Sequence, residues 1–258
     1  MKKNKWALIL GGSAGLGLAT AKKLASQNYN LVIIHRDRRL EMEDIQAQFA
    51  TIRQLGVSLH AFNKDATNAQ IRELLVSEIK ELLPEAAKIS VLVHSIAKGS
   101  LKAMNHEEHL TQHDFQTTLQ AMALSLYDWT LALHEHQLFH KDTRIISFTS
   151  EGSSKAWKNY GAVSAAKASL EALTRNIAVE FASEGIKANC IQAGVTETRS
   201  FKMIPGNEKI SEFSRKKNPF GRLTTPEDVA NVVYLLTTPE AKWINGTIIK
   251  VDGGESIC

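Results

Sequence analysis

Ser150, Tyr160 and Lys167 are the residues whose types and spacing can do proton chemistry. A phenol has an ordinary pKa of about 10, and an ammonium beside it favours ionisation, making it a proton donor or oxyanion partner usable at neutral pH. Tyr160 and Lys167 stand seven positions apart, close to two α-helical turns, so they share one face if the helix has begun by Tyr160. That spacing predicts that Lys167 lowers the Tyr160 pKa. Ser150 adds a hydroxyl at the end of a strand.

The elements that position these groups follow from periodicity. Arg144 to Phe148 is a short β-branched and apolar run, and Tyr160 to Phe181 repeats apolar residues and alanines at helical spacing. At the other end of the chain, Trp6 to Leu10 reads as a buried strand. It runs into GGSAGLG and then into a helix from about Leu16 to Ser26. Glycines in a strand, turn, helix unit let the backbone approach a pyrophosphate at the helix N-terminus, where amide N–H groups and the dipole favour anions. Further strands are expected at Asn30–Ile34, Val57–Ala61, Ile89–Val93, Ile186–Ile191 and Ile248–Gly254. Helices are expected at Glu41–Leu55, Ala69–Leu83, from the N-cap Thr111 through Phe115 to His134, and at Pro226–Leu236.

The stretch from Arg144 to Phe181 resembles the active-site segment of the short-chain dehydrogenase/reductase family, in which Ser, Tyr and Lys cooperate. Ordinary members carry the tyrosine four residues before the lysine, where this chain has Val163. NYGAVSAAKASLEALTR, with its tyrosine one turn earlier, resembles the enoyl-acyl-carrier-protein reductases, a divergent branch of that family. His94-Ser95-Ile96-Ala97 after the fourth strand, Ala193 in place of a proline, and Gln120 near the usual position of an asparagine point the same way. The shift has a chemical reason. Ketone reduction delivers hydride to the carbon bearing the oxygen, whereas enoyl thioester reduction delivers it two carbons from the carbonyl, so the acid must stand further from the nicotinamide.

The resemblance covers nearly the whole chain. It implies a single doubly wound α/β Rossmann domain over residues 1–258, with a seven-stranded parallel sheet and helices on both faces. It implies Tyr160, Lys167 and Ser150 as catalytic residues. It places a nicotinamide dinucleotide on Gly11, Ser13, Gly15, Leu16, Gly17, Arg36, Asp65, Ala66, Ser95, Ile96, Ala97, Lys167, Gly194, Val195 and Thr198. The second strand leads into His35, Arg36, Asp37, Arg38 and Arg39 in place of the acid that would bind a ribose 2′-hydroxyl. That suits the 2′-phosphate of NADPH, with Arg36 as first candidate; Ala14, by contrast, offers no basic group. The expected assembly is a homotetramer or homodimer, paired through the helices from about Phe115 and from Trp157.

Arg199 to Asn218 carries six basic and two acidic residues interleaved with Phe201, Met203, Ile204, Ile210 and Phe213. A basic and apolar lid of this kind fits an acyl chain delivered by an acidic carrier protein or by coenzyme A. The expected activity is NADPH-dependent reduction of an enoyl thioester. The rivals are a 3-oxoacyl or other carbonyl reductase, an enoyl reductase of a specialised pathway, and a non-catalytic dinucleotide-binding regulator.

Composition bounds these readings. The 258 residues are 43% hydrophobic and 22% charged, ordinary for a globular protein, and a net charge of +4 does not call for nucleic acid or membrane partners. No run approaches the roughly 18 apolar residues of a membrane span. Met1 to Leu10 is too short in its apolar part for a signal peptide, and two cysteines, Cys190 and Cys258, fit a reducing cytoplasm. The scattered histidines, of which His136 and His140 have helical spacing, lack a companion cluster for a metal. Glu151, directly after Ser150, puts an unexplained acid beside the site.

Overall fold

The computed structural model describes residues 5–258; the basic head Met1–Asn4 lies outside them. Seven strands, β1 (Lys5–Leu10), β2 (Asn30–His35), β3 (Leu59–Asn63), β4 (Lys88–His94), β5 (Phe139–Ser150), β6 (Ile186–Ala193) and β7 (Ile248–Val251), form one parallel sheet in the order 3-2-1-4-5-6-7. Parallel strands buried on both faces read as continuous apolar runs, as in WALIL and LVII. The helices α1 (Gly15–Ser26), α2 (Met42–Arg53) and α9 (Pro226–Leu236) pack on one face through Leu24, Phe49 and Val233. On the other face lie α3 (Ala69–Leu82), α5 (Ser125–Glu135) and α6 (Gly161–Glu180), through Val76, Trp129 and Leu170.

β1 and β4 are neighbours in this order, and the chain leaves them toward opposite edges of the sheet. Ligands of such folds bind at this switch point, beyond the strand C-termini. There Ser95 N–H donates to the Leu10 carbonyl at 2.8 Å, which fixes the loop after β4 against the glycine turn after β1.

Several boundaries differ from expectation: β5 is longer than Arg144–Phe148, β6 runs past Ile191, and β7 stops at Val251, short of Gly254. β3 starts at Leu59, the residue that pairs with Leu31, instead of at Val57. The helix from the Thr111 N-cap is not continuous: α4 (Gln112–Leu119) passes through a π turn, Gln120–Leu124, before α5. Ser125, the first residue of α5, donates its Oγ–H to the Ala121 carbonyl in that turn at 2.8 Å and also hydrogen-bonds buried His94 Nε2 at 2.7 Å. Burial holds the His94 pKa down to about 3, so its ring is neutral. The span expected as a lid over 199–218 contains two helices, α7 (Arg199–Lys202) and α8 (Asn207–Lys217).

Trp129 ties the second layer to the cleft, because its fully buried indole donates to the Ala66 carbonyl at 2.8 Å. Trp129→Ala removes one of the largest core side chains and leaves that carbonyl unpaired. It should cost about 3–5 kcal/mol in urea unfolding; a loss below about 1 kcal/mol would mean that the layer does not rest on this residue.

Candidate active site

β5 delivers Ser150 to the sheet edge, and a single 3-10 turn, Glu151–Ser153, leads the chain away. Asn159 returns it with φ 62°, a left-handed conformation that asparagine tolerates, and this sets Tyr160 just before the first residue of α6. The Tyr160 ring lies against Gly152, where a Cβ would sit 2.5 Å from Cε1, and against Trp157 at 5.5 Å between centroids. Only glycine fits beneath the ring. Tyr160 Oη is 3.2 Å from Ser150 Oγ, which also accepts a hydrogen bond from Gly152 N–H at 3.2 Å. Two hydroxyls thus converge at the floor of a cavity walled by Leu101, Met122, Val163, Phe201 and Ile204.

The expected lowering of the Tyr160 pKa is not what the environment produces. Burial pushes the phenol up and the Ser150 hydrogen bond draws it part of the way back. Lys167 is itself buried, and its ammonium donates to the Phe148 carbonyl at 2.6 Å. Burial lowers its pKa to about 8, against smaller opposing effects of Cys190 and Glu171. The phenol is therefore a neutral acid at pH 7, suited to donating a hydrogen bond.

Gln120, expected near the asparagine position, points away and donates to Asp128 at 2.9 Å. Met122, two residues further on in the π turn, is the one that lines the cavity. Val163, at the tyrosine position of ordinary family members, forms the cavity wall instead of supplying an acid. Neither contact has a sequence signal beyond an apolar residue in an apolar helix.

Beside this cavity runs an open cleft of about 670 Å³, within the roughly 300–1,000 Å³ of ligand sites. Gly11, Ser13, Gly15, Arg36, Asp65, Ala66, Ser95, Ile96, Ala97 and Thr198 line it; Leu16, Gly194 and Val195 line the apolar cavity, and Ala97 and Thr198 line both. Gly17 and Lys167 line neither. Gly17 serves the turn from below, since a Cβ there would stand 2.1 Å from the Gly11 carbonyl oxygen. No side chain caps α1 and no acid occupies its first turn, so its N-terminal end is open to an anion. These features fit the pyrophosphate of a dinucleotide.

At the far end of the cleft the charges are already paired. Arg36, 60% exposed, bonds Asp65 at 2.9 Å. Asp65 also accepts from the Thr67 amide at 2.9 Å and hydroxyl at 2.6 Å. Asp37 is the buried acid here: it meets His35 Nδ1 at 2.8 Å and Arg199 at 3.1 Å, and it accepts from Ser13. These partners hold its carboxyl below the usual range although burial opposes them. A further contact joins residues far apart in sequence, with Val195 N–H donating to Glu255 Oε2 at 3.2 Å.

Comparison with known proteins agrees with this architecture. Residues 11–256 match the family model described as enoyl-(acyl carrier protein) reductase. The chain is 27% identical to the (2S)-[(R)-hydroxy(phenyl)methyl]succinyl-CoA dehydrogenase subunit BbsD of Thauera aromatica, covering 99% of this chain and 98% of that one. It is also 27% identical to a probable 2,4-dienoyl-CoA reductase of Bacillus subtilis, covering 98% and 97%. Among solved structures, the enoyl-[acyl-carrier-protein] reductase (NADH) of Aquifex aeolicus superposes with a TM-score of 0.86 over 100% of this chain and 98% of that one, at 24% identity. No helix among the described residues is long and apolar enough to cross a membrane. The chain belongs to the short-chain dehydrogenase/reductase family of oxidoreductases, which act with a nicotinamide dinucleotide, and within it resembles the enoyl-acyl-carrier-protein reductases.

Proposed function

We propose that the protein reduces the 2,3 double bond of an acyl thioester with NADPH, the substrate being carried on acyl carrier protein or coenzyme A. The observation that carries this reading is the acid's location. Tyr160 stands at the cavity floor before α6 begins, while the position one turn later is the apolar wall residue Val163. A bound NADPH supplies the hydride. Tyr160 donates a hydrogen bond to the thioester carbonyl oxygen, which gathers negative charge as the β-carbon accepts hydride. The Tyr160 hydroxyl then gives its proton to the enolate, which becomes the saturated thioester, and is reprotonated from solvent. Ser150 orients the Tyr160 hydroxyl. Lys167, whose ammonium donates to the Phe148 carbonyl, is the residue that would hold the ribose hydroxyls of the cofactor, and its charge would favour charge build-up on the substrate oxygen. Phe201 and Ile204 cover the acyl chain.

Bacillus subtilis and Thauera aromatica relatives named for coenzyme A thioesters support that substrate class. The second of these is a dehydrogenase of a hydroxyl-bearing thioester, and the Ser150–Tyr160 pair could polarise a ketone as well. A 3-oxoacyl reductase is therefore the competing reading. Hydride reaches the β-carbon in both reactions, so the substrate accepted and the group left at that carbon, a methylene or a carbinol, separate the two. With deuterium at the transferring position of NADPH and a trans-2-enoyl thioester, the label should appear on the β-carbon of a saturated product. A label found only on a carbinol carbon, formed from a 3-oxoacyl thioester, would overturn the assignment.

The cofactor reading rests on the charge of the cleft's far end, where Arg36, Arg38, Lys64, Lys98 and Arg199 outnumber Asp37, Glu41 and Asp65. The Arg36–Asp65 pair is exposed and so cheap to open. Arg36→Ala should raise the KM for NADPH about tenfold and leave that for NADH near its starting value, as expected for one charge-assisted contact to phosphate. Equal effects on the two cofactors would remove Arg36 as the phosphate ligand.

A further inference from the structure

We propose that Glu151 and Glu255 are positioning residues that pin the C-terminal end of the lid helix α8 to the floor of the acyl cavity. The inference rests on the reading of residues 199–218 as a substrate lid. It also gives Glu151, the acid that follows Ser150, a task.

Three segments converge on these carboxylates. Glu151 receives Lys155 from its own loop and lies 3.9 Å from Lys217 Nζ at the last residue of α8. The Glu151 and Lys217 side chains are 17% and 16% exposed, so the pair is largely withdrawn from water, where a charge left alone is costly. Lys217 also suits its place at a helix C-terminus. Glu255, 5% exposed, comes from the turn after β7. It accepts from Val195 N–H on the turn after β6 and from the hydroxyl of Ser214, a buried residue of α8. Its packing is tight, since a Cβ on Gly194 would come within 2.9 Å of Glu255 Oε2. Glu151 and Glu255 line the same cavity as Tyr160, Phe201 and Ile204.

The other end of the lid is held separately, by Arg199 bonding Asp37 at 3.1 Å and Glu41 at 2.8 Å. Between these two fastenings the lid carries Met203 and Phe213 exposed, with Phe201 as its buried apolar side chain. Apolar contact alone is thus a small part of what holds it. Breaking the carboxylate fastening should free α8 while the cofactor cleft stays intact.

The test is a double-mutant cycle of Glu151→Gln and Lys217→Met at saturating NADPH, read by tryptic cleavage after Lys209 and Arg215 and by the KM for the enoyl thioester. Each single variant should raise both cleavage rate and KM about fivefold, and the double variant should be no worse than the worse single, the signature of a coupled pair. The exchanged pair Glu151→Lys with Lys217→Glu should recover part of the loss, and Ser214→Ala should speed cleavage about threefold through the Glu255 arm. Additive single effects, or cleavage unchanged in every variant, would overturn the proposal. Cleavage is read without turnover, so it stands or falls apart from the choice of enoyl or 3-oxoacyl substrate.

Discussion

Tyr160→Phe is expected to lower kcat on an enoyl thioester by about a hundredfold to ten-thousandfold, the range for loss of a positioned proton donor. NADPH binding should persist, with Kd within about twofold of the parent, because the change removes one oxygen and keeps the ring that packs on Gly152 and Trp157. Ser150 loses a partner but keeps the Gly152 amide, so the floor should not collapse. Fluorescence titration with NADPH and steady-state turnover decide the matter. Turnover near the parent would remove Tyr160 as the acid.

Lys167→Met should be nearly as damaging to turnover and, unlike Tyr160→Phe, should weaken NADPH binding by about tenfold or more, as expected when a charged hydrogen-bond donor is lost. Its stability effect runs the other way from its activity effect. Burial lowers the Lys167 pKa from 10.5 to about 8, so folding disfavours the charged form. Between those two values the unfolded chain binds the proton and the folded protein does not, and stability therefore rises with pH there. Below about pH 8 the parent carries a buried charge that Met lacks. The variant should melt no earlier than the parent at pH 7, and the parent's turnover should fall as pH rises through about 8. A variant that melts well below the parent would show that Lys167 holds the fold and not the cofactor.

The frame of the molecule was legible because its signals are local and periodic. WALIL running into GGSAGLG and then into an apolar-periodic helix is one supersecondary unit, and it folds where it was expected. The capped start at Thr111 is likewise written in a few adjacent residues, with an aspartate three positions on. Edge features were harder. β3 is half exposed, so Val57 looks as strand-like as Leu59, and only pairing with Leu31 decides the start. The π turn at Gln120–Leu124 depends on how α4 and α5 pack on α6 and His94, and no residue type announces it.

At the site, the seven-position spacing sets Tyr160 at the N-cap of α6 and Lys167 within that helix, but spacing does not report what surrounds a side chain. Burial of the phenol reversed the expected direction of the tyrosine's shift, while the ammonium is taken up by the Phe148 carbonyl. The pairings Arg36–Asp65, Arg199–Asp37 and Glu255–Val195 join residues 29, 162 and 60 positions apart, beyond any local pattern.

The most direct measurement is NADPH oxidation with a trans-2-enoyl thioester and a 3-oxoacyl thioester of equal chain length and identical carrier, compared by kcat/KM. A clear preference for the enoyl substrate is the result that Tyr160 at the cavity floor and Val163 in its wall predict. Preference for the 3-oxoacyl substrate would contradict the account, because it would place the Tyr160 hydroxyl at a ketone oxygen despite its displaced position.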